Sequence, residues 1–269
     1  MTTRTLMCII PHPDDESLGM GGTLAKYAAE GVEISLICAT RGERGWSGPP
    51  AERPTMTDLG RLREGELRCA AQTLGLTEVH FLDYLDGEVG QADPQEAIGR
   101  MVRHIRRFRP QVVITFGPDG AYGHPDHIAV SQLASAAVVC AADASFPDAD
   151  NQPAHRILKL YYMVDSIELV KLVEQLMGGI HFMVDGVERS HVGWLDWMIT
   201  TRIDAGEYWK TALKAIQCHK SQLQGDMSQL HLLPAEVHRQ LWGNGCFYRA
   251  FSLVNNGRQV ERDLFAGIP

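Results

Sequence analysis

Three observations predict an α/β protein built on a doubly wound, mostly parallel sheet. Short β-branched runs alternate with longer stretches of helical periodicity from residue 1 to about 142, the mark of repeated βαβ units. The helical stretches close on Gly or stop before Pro, as at Gly31, Gly75 and Pro110. The run Val112–Phe116 is almost wholly apolar, as expected of a strand covered on both faces.

The elements follow in order. Leu6–Ile10 is the first strand, Gly22–Glu30 a helix closed by Gly31, and Val32–Ala39 the second strand. Thr40–Pro54 is a loop dense in Gly, Pro and Arg, for which a mobile lid is one use. A helical pattern from Thr57 to Leu74 ends at Gly75, and Val79–Leu82 is the third strand. The helix Pro94–Phe108 stops before Pro110, and its Arg100, Arg103, Arg106, Arg107 and Arg109 read as a solvated face. After the fourth strand, Val112–Phe116, Pro125 opens a helix running to Ala142, and Ala141–Pro153 reads as a surface linker. Beyond residue 155 the pattern is irregular. Strands are expected at Ile157–Val164, Ile199–Ile203 and Cys246–Val254, with helices near Ile167–Met177, Gly206–His219 and Pro234–Trp242. The whole is a Rossmann-like sheet with an irregular α+β C-terminal extension. Residues 1–269 are expected to form a single domain, 1–142 being the core and 155–269 the extension that completes a pocket.

Composition narrows the function. With 45% apolar and 22% charged residues the chain is an ordinary globular protein, and its formal net charge of −8 repels nucleic-acid phosphates. The apolar runs fall far short of the roughly 20 residues a membrane span needs, and no signal-peptide pattern opens the chain, so a cytoplasmic location is expected. Cys8, Cys38, Cys69, Cys140, Cys218 and Cys246 lack CxxC pairing and read as small hydrophobes, neither disulfides nor ligands.

The chemistry lies in two motifs. His12-Pro13-Asp14-Asp15-Glu16 follows the first strand and His124-Pro125-Asp126-His127 follows the fourth. In the common strand order 3-2-1-4-5 these strands are neighbours, and ligands bind in the crevice outside their carboxyl ends. His12 with Asp15, and His124 with His127, each lie three apart, so each pair shares one side of its chain. A His/Asp/His set with one position left for water suits a catalytic Zn²⁺, with Fe²⁺ or another divalent transition metal the alternative. One of the two adjacent aspartates is then free to act as a base. Gly19-Met20-Gly21-Gly22 lacks the G-x-G-x-x-G spacing and is read as the turn behind the ligands. Trp46, Trp194 and Trp197 read as packing residues rather than sugar-stacking ones.

The segments PHPDDESLGMGG, RLREGELRCAAQTLG, AYGHPDH and KTALKAIQCHKSQ, in this order over residues 11–222, resemble the zinc-dependent N-acetylglucosaminyl deacetylase superfamily, the LmbE-like group. That group includes the glycosylphosphatidylinositol-pathway, mycothiol and bacillithiol deacetylases. The resemblance implies that His12, Asp15 and His127 bind zinc, that Asp14 is the general base, and that His124 stabilises the oxyanion. It further implies that Asp126 orients His124 and raises its pKa, that Tyr122 helps polarise the amide, and that Arg63 and His219 contact substrate. Ion pairing of Arg63 with Glu64 or Glu66, and a helix-terminus role for His219, are the structural alternatives. The expected activity is hydrolysis of the acetamide of an N-acetylglucosamine-type small molecule. Alternatives are an amidase of a thiol-sugar conjugate, a deacylase of a glycosylated antibiotic precursor, and, more remotely, a non-catalytic sugar- or nucleotide-binding module. The sequence leaves homo-oligomerisation open, and Asn151–Trp197 matches no motif.

Overall fold

The computed structural model describes residues 3–269 apart from 178–180, 185, 256 and 258. In chain order it contains β1 (Thr5–Ile10), α1 (Asp15–Ala29), β2 (Glu33–Thr40), α2 (Met56–Leu74), β3 (Glu78–Tyr84), α3 (Pro94–Phe108) and β4 (Val112–Phe116). Then come a one-turn α4 (Gly120–Gly123), α5 (Pro125–Ala142), β5 (Lys159–Met163), α6 (Ile167–Met177), β6 (His181–Val184), β7 (Val187–Ser190), β8 (Thr201–Asp204), α7 (Trp209–Ile216), α8 (Ala235–Trp242) and β9 (Asn244–Ser252).

The fold is α/β. Seven strands form one sheet in the order β3-β2-β1-β4-β5-β9-β8. The pairings from β3 through β5 are parallel, while β9 runs antiparallel to both β5 and β8. Alternate side chains of β1 divide between the two faces: Leu6, Cys8 and Ile10 pack with α1 and α2, Met7 and Ile9 with α3 and α5. Among the described residues no helix is long and apolar enough to cross a membrane.

Local chemistry sets the boundaries. Thr55 caps α2 by accepting the Asp58 N–H at 3.1 Å, and Gly75, at φ 82°, closes it. Asp93 caps α3 in the same way, accepting the Glu96 N–H at 2.8 Å, with Pro94 in the first turn.

Several expectations change. The first helix begins at Asp15, not Gly22, so Gly19, Gly21 and Gly22 lie inside it, around a kink at Met20. Their smallness serves packing: a Cβ on Gly21 would stand 3.1 Å from the Ala212 Cβ, and one on Gly22 would run into the Trp242 carbonyl. Cys69 and Cys218 are joined in a disulfide, because α2 and α7 pack side by side and bring their Cα atoms to 5.8 Å. The arginines of α3 are solvated except Arg106, which is 2% exposed and donates to the Ala141, Asp143 and Phe146 carbonyls at and beyond the end of α5. Trp194 is half-buried, but Trp197 is 79% exposed and packs little. The β6–β7 hairpin, inside the segment without a motif, was not anticipated.

Candidate metal centre

β1 and β4 are hydrogen-bonded neighbours, so the two motifs leave the sheet side by side at its carboxyl edge. After β1 the chain turns through Asp14, a non-glycine residue at φ 109°, into the first turn of α1. Asp14 sits at the N-cap position without capping, which leaves its carboxylate facing the site. The next carboxylate turns back, Asp15 Oδ2 accepting the His12 N–H at 2.9 Å. After β4, α4 leads to His124, whose Nδ1 caps α5 by accepting the Asp126 N–H at 3.1 Å.

This brings three donor groups together. His12 Nδ1 lies 3.3 Å from His127 Nε2, and the Asp15 carboxylate sets one oxygen 3.7 Å from the first and the other 3.6 Å from the second. Two buried imidazole nitrogens and a half-buried carboxylate, converging, fit a divalent transition metal better than a structural hydrogen-bond cluster. Burial and the neighbouring histidines keep His127 neutral, the form that ligates. His12, His124 and His127 also offer nitrogens within 4.8 Å of one another.

Asp126 is turned away from the position expected of it. Its carboxylate is fully buried and accepts from His12 Nε2 at 3.2 Å and from the Gly87 and Val89 N–H groups at 2.7 and 3.1 Å. It therefore orients His12, the arrangement usual behind a metal-bound imidazole. Its backbone N–H donates to His124 Nδ1 at 3.1 Å. Because His124 Nδ1 accepts that N–H, its proton belongs on Nε2. Asp86, 3.2 Å from His12 Nε2, is a second carboxylate behind the same ring. Burial opposes charge on His12, but the hydrogen bonds of Asp126 and Asp86 outweigh it and push His12 up to about 10. Burial likewise raises Asp15 to about 8.

Arg63 and His219 are both buried. Arg63 is 3% exposed; it donates to Asp14 Oδ2 and the Gly42 carbonyl, each at 3.0 Å, and to the Pro13 carbonyl. Its acidic partner is thus Asp14 rather than Glu64 or Glu66. His219 is 1% exposed, with Nε2 2.7 Å from Glu16 Oε1, and Glu16 Oε2 accepts the Asp14 N–H at 3.0 Å. Both residues stand behind Asp14. Burial raises the Asp14 pKa, against the pull of Arg63 and His219. Tyr122 lies at the centre itself, its ring 5.3 Å from that of His127 and 5.7 Å from that of His124.

Among the bonds that fasten the loop after β2 are Gly42 O to Arg63, Gly45 O to Gln222 Nε2 at 2.6 Å, and the Arg44 N–H to Asp86 at 3.0 Å. Glu66 holds the turn after His219 by accepting both the N–H and the hydroxyl of Ser221, at 2.8 and 2.7 Å. Sequence reasoning left Glu16 and Asp86 unassigned. The first lay within the quoted motif, and the second follows the carboxyl end of β3, where the rule that located both motifs also applies.

Residues 7–138 match the family described as "PIG-L: GlcNAc-PI de-N-acetylase". The chain is 34% identical to a 1D-myo-inositol 2-acetamido-2-deoxy-alpha-D-glucopyranoside deacetylase of Thermobispora bispora, over 83% of this chain and 80% of the relative. It is 30% identical to a mycothiol S-conjugate amidase of Streptomyces coelicolor, over 98% of this chain and 97% of that protein. Its fold is similar to that of the N,N'-diacetylchitobiose deacetylase from Pyrococcus horikoshii, with a TM-score of 0.68 and 21% identity over 91% of this chain and 83% of the other. With the paired motifs at neighbouring strand ends and relatives that span most of its length, the chain belongs to the GlcNAc-PI de-N-acetylase family.

Proposed function

We propose that this protein hydrolyses the acetamide of an N-acetylglucosamine-type small molecule, releasing acetate and a free amine. The observation that carries the reading is the meeting of His12, Asp15 and His127 beside a further carboxylate, Asp14, that is held by Arg63. A divalent ion held by His12, Asp15 and His127, zinc first, with Fe²⁺ or another transition metal the alternative, would supply Lewis acidity and lower the pKa of water.

The chain's own residues do the rest. Asp14 accepts a proton from the attacking water as the water oxygen bonds to the amide carbon. His124 donates from Nε2 to the amide oxygen as that atom gains negative charge, and the Asp126 N–H on Nδ1 fixes the donating tautomer. Tyr122, packed edge-on against His124, closes the same side. The C–N bond then breaks, and Asp14 returns its proton to the leaving amine. Arg63 and the Glu16–His219 pair keep the Asp14 carboxylate in place through both transfers.

A second reading, cleavage of the amide in a thiol-sugar conjugate, is favoured by the similarity to the Streptomyces coelicolor amidase over nearly the whole chain. A screen of N-acetylated amino sugars and their thiol conjugates for free-amine release decides between them. Purified protein should carry about one divalent ion per chain, and a chelator should abolish release. Full activity in metal-free protein, or binding without turnover, overturns the proposal.

A further inference from the structure

The β6–β7 hairpin is a separate two-stranded sheet that the sequence did not announce, and it is fixed to the catalytic loop. Just beyond β7 the Val192 N–H donates to the Ala121 carbonyl at 2.8 Å, His191 Nε2 meets Asp165 Oδ2 at 2.5 Å, and Trp194 Nε1 donates to Asp119 Oδ2 at 2.9 Å. These bonds tie the hairpin to the strand ends on either side of α4, the turn that precedes His124.

Arg189, on β7, reaches across that turn. Its Nη1 and Cδ lie 3.0 and 3.2 Å from where a Cβ on Gly123 would stand, so the side chain lies close against that glycine, here at φ 75°. Gly123 immediately precedes His124, whose ring is 4.8 Å from that of His12 and 4.9 Å from that of His127. The guanidinium is therefore placed at the edge of the metal centre.

Two features point to a ligand. The Arg189 Nε is buried with no hydrogen-bond partner among the described residues, and such a donor is satisfied when an acceptor arrives. The groups gathered around His12 are carboxylates, Asp15, Asp86 and Asp126, and the arginine inside the site, Arg63, is engaged by Asp14 and two carbonyls. Arg189 thus brings to the rim a positive donor fork that the interior does not offer. Such a fork pairs with two adjacent oxygens, those of vicinal hydroxyls or of a carboxylate.

We propose that Arg189 binds an oxygen-rich group on the substrate beyond the amide, a polyol or anionic aglycone, and so determines which amides the site accepts. This rests on the amidohydrolase reading given above.

The test measures kcat and KM for wild type, Arg189→Gln and Arg189→Lys on three N-acetylglucosaminides: one with a methyl aglycone, one with an inositol aglycone and one with a carboxylate-bearing aglycone. Metal content and thermal midpoint are recorded for each variant. Arg189→Gln should raise KM by about 10–100-fold for the inositol or the carboxylate substrate, with kcat, metal content and the methyl substrate little changed. Loss confined to the inositol arm identifies a polyol and loss confined to the carboxylate arm an anion. Arg189→Lys should recover the carboxylate arm more fully than the inositol arm. Equal losses on all three substrates, a fall in metal content, or no change on any substrate would overturn the proposal. Failure of wild type on all three would instead remove the amidohydrolase reading and the Arg189 proposal with it.

Discussion

The strands before α5 share one sheet with β5, β8 and β9, but the two groups are held in it differently. From β3 to β4 the strands pair in parallel, and their side chains enter apolar layers on both faces. At the β5-β9-β8 edge the pairing turns antiparallel and a polar cluster is buried. There Lys159, fully buried, donates to Glu261 Oε1 at 2.7 Å, while the Tyr161 and Thr201 hydroxyls reach Glu261 Oε2 at 2.6 and 3.0 Å and Arg249 lies 2.8 Å from Oε1. The reaction groups named here leave the first region, at strand ends set by regular topology, with His219 and the Ser221 turn added behind them. The second region supplies walls and a joint between irregular segments. Damage in the first should therefore reach the rate, and damage in the second the stability.

The largest effect is expected in the first region. Asp14→Asn should lower kcat by about 10²–10⁴, because the water loses its proton acceptor while the three metal donors remain. Metal content and kcat measured on the same preparation check this. Loss of the metal with Asp14→Asn, but not with Asp15→Asn, would exchange the roles of the two carboxylates.

In the second region Glu261→Ala leaves Lys159 charged and buried without its partner, which should cost about 3–5 kcal/mol of stability with kcat per folded molecule unchanged. Denaturant midpoints give the first quantity and active-site titration the second. The pH dependence has a definite sign. Burial alone would raise the Glu261 pKa, but the hydrogen bonds from Lys159 and Tyr161 outweigh it and hold it down to about 2. A carboxylate depressed on folding contributes above its unfolded value near 4.3 and loses that contribution as the pH falls toward its folded value. Wild type should lose this increment on acidification, and Glu261→Ala should lose less.

The same division explains what could be read from the sequence. Parallel strands and capped helices write themselves into short periodic runs: the ends of α3, β4 and α5 fall where Pro94, Pro110 and Pro125 place them. The two motifs could be paired because strand order follows from connectivity. What was not legible depends on side-chain direction or on contacts distant in sequence. Asp126 could face either histidine, and only the Gly87 and Val89 N–H groups, 39 and 37 residues away, turn it to His12. The Cys69–Cys218 pair spans 149 residues without a spacing signal. Arg106 looked like its exposed neighbours because most of its partners are carbonyls, which carry no residue type, and its buried acidic partner, Asp148, lies far along the chain.

Arg106 sharpens the comparison, since it belongs to the first region yet acts as a joint. Arg106→Met should cost about 1–3 kcal/mol by leaving the carbonyls around the end of α5 without a donor and the buried Asp148 carboxylate without its cation. His127 lies near the other end of α5, so kcat should hold while the denaturant midpoint falls. A change in kcat comparable to that of Asp14→Asn would show that the end of α5 is coupled to the metal centre and that the two regions do not divide as described.

The smallest effect is expected at the seam, where His191 and Asp165 pin the hairpin. Burial lowers the pKa of His191, but the Asp165 carboxylate more than reverses this, and Asp119 and Glu174 add to the upward shift. A histidine whose pKa rises on folding contributes its stabilisation fully below the unfolded value near 6.5 and loses it as the pH climbs through the folded value. The pair is partly exposed, at 18% for each side chain, so its worth is about 1 kcal/mol or less. The Val192 N–H, bonded to the Ala121 carbonyl one residue away, reports on it directly. Its protection from amide exchange, corrected for the intrinsic rate, should decline as the pH is raised above about 6.5 in wild type. In His191→Gln it should be lower at acid pH and nearly flat. Protection that rises with pH in wild type, or that falls equally in the variant, would show that the ion pair does not hold the hairpin against the catalytic loop.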